Sequence, residues 1–145
     1  MSTQKYGIAW DNRYNLGNAH VDAQHKRIFD LLSDLVGQCM DGSNTEKLKE
    51  TLDFLVEYTI RHFQDEESLQ VRYCFPEYKK HKRLHEDFKV LVSSLVKRFT
   101  KNGSSEELSS DVNRVIVQWL VGHIQCEDRK VGEHIRNSAS CALTA

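Results

Sequence analysis

Apolar side chains recur along most of the chain at alternating intervals of three and four, the period of a helix with one buried face. The first seam reads His25, Ile28, Leu32, Leu35 and Cys39, with Asp22 as its expected N-cap, and Asp41-Gly42-Ser43-Asn44 should turn the chain. A second runs through Leu48, Leu52, Leu55, Thr59, His62, Glu66, Leu69 and Tyr73, and stops before Pro76, which disfavours helix at Phe75. The third carries Tyr78, His81, His85, Phe88, Val92, Leu95 and Phe99, and ends near Lys101-Asn102-Gly103. The fourth begins after Ser104 or Ser105 with Leu108, Val112, Val115, Trp119 and His123. These seams predict helices at 22–40, 45–73, 77–101 and 105–127. An arm over 1–20 precedes them, with Tyr6, Trp10 and Tyr14 expected to pack on the helices. A segment over 128–145 follows, fraying after about Asn137. Four amphipathic helices with three short connections imply an all-α, up-down-up-down antiparallel four-helix bundle, one domain over 1–145.

The residues that interrupt these seams carry the chemistry. His25, His62, Glu66, His81, His85 and His123 stand where leucine or isoleucine is expected. A buried glutamate without a partner is costly, and five histidines beside it point to a shared metal rather than to unrelated core residues. Depth in the bundle tests this independently, because residues equally far from a connecting loop lie at one level in antiparallel helices. His85 lies 18 residues before Gly103 and His123 lies 20 after it. Glu66 lies 9 before Phe75 and His85 lies 10 after; His25 lies 17 before Gly42 and His62 lies 20 after. At about 1.5 Å per residue the mismatches amount to a few ångströms, so all four helices deliver ligands to one layer. His62-x-x-x-Glu66 and His81-x-x-x-His85 are spaced four apart, so both members of each pair face inward.

Composition narrows the class of function. A length of 145 residues suffices for a core without disulfides. The 20 basic and 21 acidic residues are interspersed, leaving a net charge of -1 and no basic block for nucleic acid or an anionic membrane. No run approaches a membrane span and Met1 to Trp10 has no signal-peptide core, so a cytoplasmic location is expected. Cys39, Cys74, Cys126 and Cys141 fall at wide spacings and read as reduced thiols filling space, Cys126 included. His20 and His134 are expected in solvent, and Glu67 on the solvated flank of its helix.

Four stretches carry a resemblance over nearly the whole chain. They are Trp10…Gly17…Val21-Asp22-Ala23-Gln24-His25-Lys26, His62-Phe63-x-x-Glu66-Glu67, His81-x-x-x-His85-x-x-Phe88 and Trp119-Leu120-x-x-His123-Ile124-x-x-x-Asp128. Together they resemble the hemerythrin family, and its bacterial members in particular. The resemblance implies two irons: one held by His81, His85 and His123, the other by His25 and His62, with Glu66, Asp128 and a solvent-derived oxygen bridging them. It also implies that Phe63, Trp119, Leu120 and Ile124 line an apolar O₂ pocket. Asp128 enters only through the resemblance. Five residues after His123 a regular helix has turned by about 140°, so its role requires a helix end or a local distortion there.

The implied ligand count leaves the second iron one ligand short, which is where O₂ could bind. The function expected is reversible O₂ binding for storage, transport or delivery, not catalysis, with any protein recipient unidentified. An O₂ or redox sensor ranks lower because a chain of this length leaves no room for an output module. A di-iron enzyme reducing peroxide or nitric oxide also ranks lower, because no general acid is evident in the pocket.

Overall fold

The computed structural model describes residues 10–42, 44–103 and 105–137. Four antiparallel helical rods run up and down, and no strand occurs among the described residues. Helix α1 is Ala19–Asp41, α2 is Thr45–Arg72 and α3 is Tyr78–Asn102. The fourth rod, α4, covers 106–137 as α-helix Glu106–Asp111, π-helix Val112–Val117, α-helix Gln118–Gly122, π-helix His123–Glu127 and α-helix Asp128–Asn137. Each rod packs along the next, and the first π segment of α4 touches α1, closing the ring. A short 3₁₀ turn, Asn12–Tyr14, leads into the bundle. The expected arm residue Tyr6, the turn residue Ser43 and the tail after Asn137 lie outside the described residues.

Local chemistry explains the helix ends. Asn18, Asn44 and Ser105 each accept a hydrogen bond from the backbone N–H three residues on, capping α1, α2 and α4. Asp22 is therefore not the N-cap of α1, as its position before the first seam suggested. It sits in the first turn, and its carboxylate reaches back to accept from the backbone N–H of Leu16 at 2.6 Å and Gly17 at 3.3 Å. Gly42, at φ 70°, closes α1 in the left-handed region that an L side chain rarely adopts. Helix α2 ends in a Schellman motif: Phe75 N–H bonds the Gln70 carbonyl at 2.9 Å and Cys74 N–H bonds that of Val71 at 3.1 Å. The left-handed position is held by Cys74, at φ 52°. That residue is disulfide-bonded, which corrects the reading of all four cysteines as reduced thiols. Cys39 and Cys126 are free, and Cys126 is exposed rather than filling space in the core.

Two apolar cores flank the polar layer. The larger one, from Ile28, Leu32, Leu35, Leu52, Leu55, Phe88, Val92, Leu95, Ile116 and Leu120 among others, fills the loop-42 end of the bundle. Trp10 and Tyr14 pack on it through Phe29, with ring centroids 5.4 and 5.8 Å away. The smaller core joins Leu16, Val21, Leu69, Phe75 and Val131 at the other end. There Gly132 lets the chains meet closely, since a Cβ on it would lie 3.0 Å from the Leu16 Cα. The α4 rod thus runs ten residues beyond its expected end at 127, because Asp128–Asn137 carries a buried face of its own. The π turns also shift the inward face of α4. Ile116, Val117, Leu120 and Ile124 are buried, whereas Val115 and Trp119, placed on the seam by regular helical period, are only half-buried.

Candidate metal centre

Between the two cores, every rod contributes polar side chains to one layer. His25 comes from α1, His62 and Glu66 from α2, His81 and His85 from α3, and His123 and Asp128 from α4; all seven are buried. The pairs on α2 and α3 face inward because four residues nearly complete a turn. Asp128 faces inward for a different reason. His123–Glu127 is π-helical, with the Asp128 N–H bonded to the His123 carbonyl five residues back. A bond from i to i+5 places those two residues in line, so the distortion that the spacing demanded is present.

The seven side chains form two overlapping groups of candidate ligand atoms. Glu66, His81, His85, His123 and Asp128 form one group, and His25, His62, Glu66 and Asp128 form the other, with the atoms of each lying within 4.8 Å of one another. Each carboxylate divides its oxygens between them. Glu66 Oε1 lies 2.9 Å from His81 Nε2 and 3.2 Å from His85 Nε2, while Oε2 lies 3.4 Å from His25 Nε2 and 3.5 Å from His62 Nε2. Asp128 Oδ1 lies 3.0 Å from His81 Nε2 and 3.1 Å from His123 Nε2, and Oδ2 lies 3.0 Å from His25 Nε2. Each carboxylate thus turns one oxygen toward each group.

The donor set fits a pair of cations. His123 Nε2 stands 3.1 Å from the Nε2 atoms of both His85 and His81. A first-row divalent ion bonds imidazole nitrogen at about 2.1 Å, so two nitrogens at right angles on one ion stand about 3.0 Å apart. His25 Nε2, His62 Nε2, Glu66 Oε2 and both Asp128 oxygens are buried without a hydrogen-bond partner among the described residues. Buried polar atoms are rarely left so, and a metal satisfies all five.

In the bare protein the layer balances its charge with protons. Burial pushes the His25 imidazolium down, but the nearby carboxylates of Asp128 and Glu66 outweigh it and hold its pKa up, at about 9. The same contest at His81 ends at about 10. Burial, together with the charge on His25, pushes His62 down. Glu66 and Asp128 stay well below the usual carboxylate range; burial opposes this, but the surrounding histidines prevail.

Two further residues hold the histidines from behind, and the sequence reading missed both. His85 Nδ1–H donates to Glu67 Oε2 at 2.7 Å, so Glu67 is not on a solvated flank. His62 Nδ1–H donates to Gln24 Oε1 at 2.8 Å. The available signal was adjacency: both are polar residues directly beside a seam ligand in sequence, rotated about 100° toward a neighbouring helix. His134 is likewise not in solvent; its Nε2–H donates to the Tyr73 carbonyl at 2.7 Å and its ring packs on Phe75. His20 is exposed and contacts Asp65.

The four apolar residues marked as pocket lining cover the histidine layer on the side of the larger core. Phe63 stacks on His85 at 3.8 Å between ring centroids and Trp119 stacks on His123 at 4.6 Å, while Leu120 and Ile124 are fully buried.

Comparison with known proteins agrees with this architecture. A family profile described as the hemerythrin HHE cation binding domain matches residues 16–135. A bacteriohemerythrin of Methylococcus capsulatus is 32% identical over 118 residues, covering 81% of this chain and 86% of that protein. A bacteriohemerythrin of Pseudomonas paraeruginosa is 29% identical over 133 residues, covering 92% and 84%. A hemerythrin-like protein of Naegleria fowleri is 33% identical over 121 residues, covering 83% and 87%. The crystal structure of a wild-type hemerythrin superposes with a TM-score of 0.76 at 25% identity, covering 88% of this chain and 96% of that one.

Proposed function

The chain belongs to the hemerythrin family, and from that membership and the geometry of its buried layer we propose that it holds two iron ions and binds O₂ reversibly, as a store or carrier of oxygen. The observation that carries this reading is the division of each carboxylate's oxygens between a three-histidine group and a two-histidine group. His81, His85 and His123 with the two bridges would hold one iron, and His25 and His62 with the same bridges the other. The ion at the two-histidine group would have fewer protein ligands and would be the one open to O₂. A bound iron pair supplies the electrons that O₂ takes up on binding and returns on release.

The chain's own residues do the rest. Five neutral imidazoles and two carboxylates would surround the ions with little negative charge, less than glutamate-rich di-iron bundles provide. That favours return of the electrons over further reaction. Phe63, Trp119, Leu120 and Ile124 would keep water from the open position, slowing loss of reduced oxygen species and oxidation of the iron.

The test is the visible spectrum of the reduced, iron-loaded protein on exposure to air and then to vacuum. A charge-transfer band that appears with O₂ and disappears on evacuation is the expected result. Irreversible bleaching, or consumption of O₂ beyond the amount of protein, would overturn carriage in favour of catalysis.

A further inference from the structure

Asp65 lies on α2 beside Glu66 but outside the buried layer, its side chain 38% exposed. Two groups converge on its Oδ2: His20 Nε2 at 2.9 Å and Gln24 Nε2 at 2.8 Å. Gln24 is buried, and its other end, Oε1, is 2.8 Å from His62 Nδ1. The four side chains therefore form one continuous hydrogen-bonded path from solvent to a candidate ligand.

The direction of every bond in this path follows from its outer end. A carboxylate offers only acceptors, so Gln24 must turn its NH₂ toward Asp65. Its carbonyl then faces His62. A carbonyl also only accepts, so His62 carries its proton on Nδ1 and keeps the lone pair on Nε2. That nitrogen is buried without a hydrogen-bond partner and faces Glu66 Oε2 at 3.5 Å.

We propose that Asp65 is a positioning residue for the metal centre: acting through the Gln24 amide, it fixes the tautomer and ring orientation of His62 and so makes Nε2 the metal-binding atom. The two ends of a glutamine amide have nearly the same shape, so Gln24 alone does not decide which end meets His62. Without Asp65 the amide can turn over and offer NH₂ to Nδ1, which moves the proton to Nε2, where the metal belongs. His85 needs no such device, because Glu67 accepts from its Nδ1 directly. His20 adds a second donor to Asp65 and holds its carboxylate in place. One ligand of the two-histidine group, the group proposed to bind O₂, is thus set from the surface. This inference rests on the reading of the layer as a two-metal centre.

The experiment uses the full-length protein loaded with Co²⁺, which is followed by calorimetric titration and by the hyperfine-shifted, solvent-exchangeable N–H protons of the ligand histidines. The wild type should bind two ions and show such a proton for the histidines whose Nδ1 is hydrogen-bonded. Asp65→Ala should bind the first ion unchanged and the second about 10- to 100-fold more weakly, as loss of outer hydrogen bonds to metal ligands generally does. One of the shifted protons should also exchange faster with solvent. Gln24→Leu, which removes the acceptor itself, should reproduce both effects. Asp65→Ala binding both ions as tightly as wild type, with every shifted proton retained, overturns the inference and leaves the two-metal reading intact. A wild type that takes up fewer than two ions overturns that reading, and the inference with it.

Discussion

Glu67 and Gln24 do the same task with different chemistry. Each accepts the Nδ1 proton of a candidate ligand histidine, but one is a carboxylate and the other an amide. A carboxylate behind an imidazole raises its basicity and strengthens its hold on a metal more than a neutral acceptor does. The three-histidine group is therefore the more electron-rich of the two. Glu67→Gln should weaken binding at that group by about 10-fold or more while leaving the helical content unchanged, as read by competition with a metal chelator and by circular dichroism. Equal affinity in variant and wild type would remove Glu67 from the centre. At this scale the sequence was informative wherever burial and helical phase coincide, as at His25, His62, Glu66, His81, His85 and His123. It misplaced Glu67 in solvent and gave Gln24 no role, because a residue one step around the helix from a ligand reads as flank until the neighbouring helix is in place.

Among the elements, α4 differs most from a regular helix. A π turn is one residue inserted into an α-helix, absorbed by bonding i to i+5. Removal of that residue from His123–Glu127 restores a regular turn in which the aspartate follows His123 by four, about 40° from it. Deleting the exposed Cys126 should therefore keep two metals bound per chain. Adding an alanine after Cys126 turns the aspartate outward by about a further 100° and should leave at most one. Elemental analysis of the two variants checks both statements. Once the resemblance made Asp128 a ligand, its spacing from His123 called for a helix end or a distortion here, because two inward residues five apart cannot share a regular face. The earlier one, Val112–Val117, left no such mark. Its residues are all apolar or solvent-facing, and Val115 fits a regular seam as well as Ile116 does, so only packing decides between them. The helix starts show the same limit: Asn18 and Asp22 are both good capping residues, and the choice depends on where the arm enters.

For the molecule as a whole, the buried layer couples folding to pH. His25 and His81 are raised from an ordinary 6.5 to about 9 and about 10, so their contribution is complete below about pH 6.5 and is lost as pH rises through 9 to 10. Glu66 and Asp128 are lowered, so theirs is present above the usual carboxylate range and is lost in acid. His62, pushed down by burial, works against the folded state below about pH 6.5. The metal-free protein should thus be most stable near pH 6 to 7 and lose on the order of a few kcal/mol by pH 10. The zinc-loaded protein, with metal in place of those protons, should not show the alkaline loss. Urea midpoints at pH 6.5, 8 and 10, with zinc and with chelator, measure the difference; parallel alkaline losses would count against it. The bundle itself, four rods and their order, was legible from periodicity, since each buried face is long and the connections are short. The fourth rod's extension to Asn137 was not, because it depends on what lies across the small core at the end of the bundle; nor was the disulfide at Cys74, because wide spacing in the sequence gives no pairing.

The placement of the aromatic rings has an optical consequence. The chain has two tryptophans, and each lies against a different half of the histidine layer. Trp119 stacks on His123 of the three-histidine group, and Trp10 lies 6.2 Å from His25 of the other. Iron at either position would quench the indole beside it. Intrinsic fluorescence is therefore a built-in occupancy gauge, and replacing one tryptophan by phenylalanine leaves the other to report on its own half of the centre.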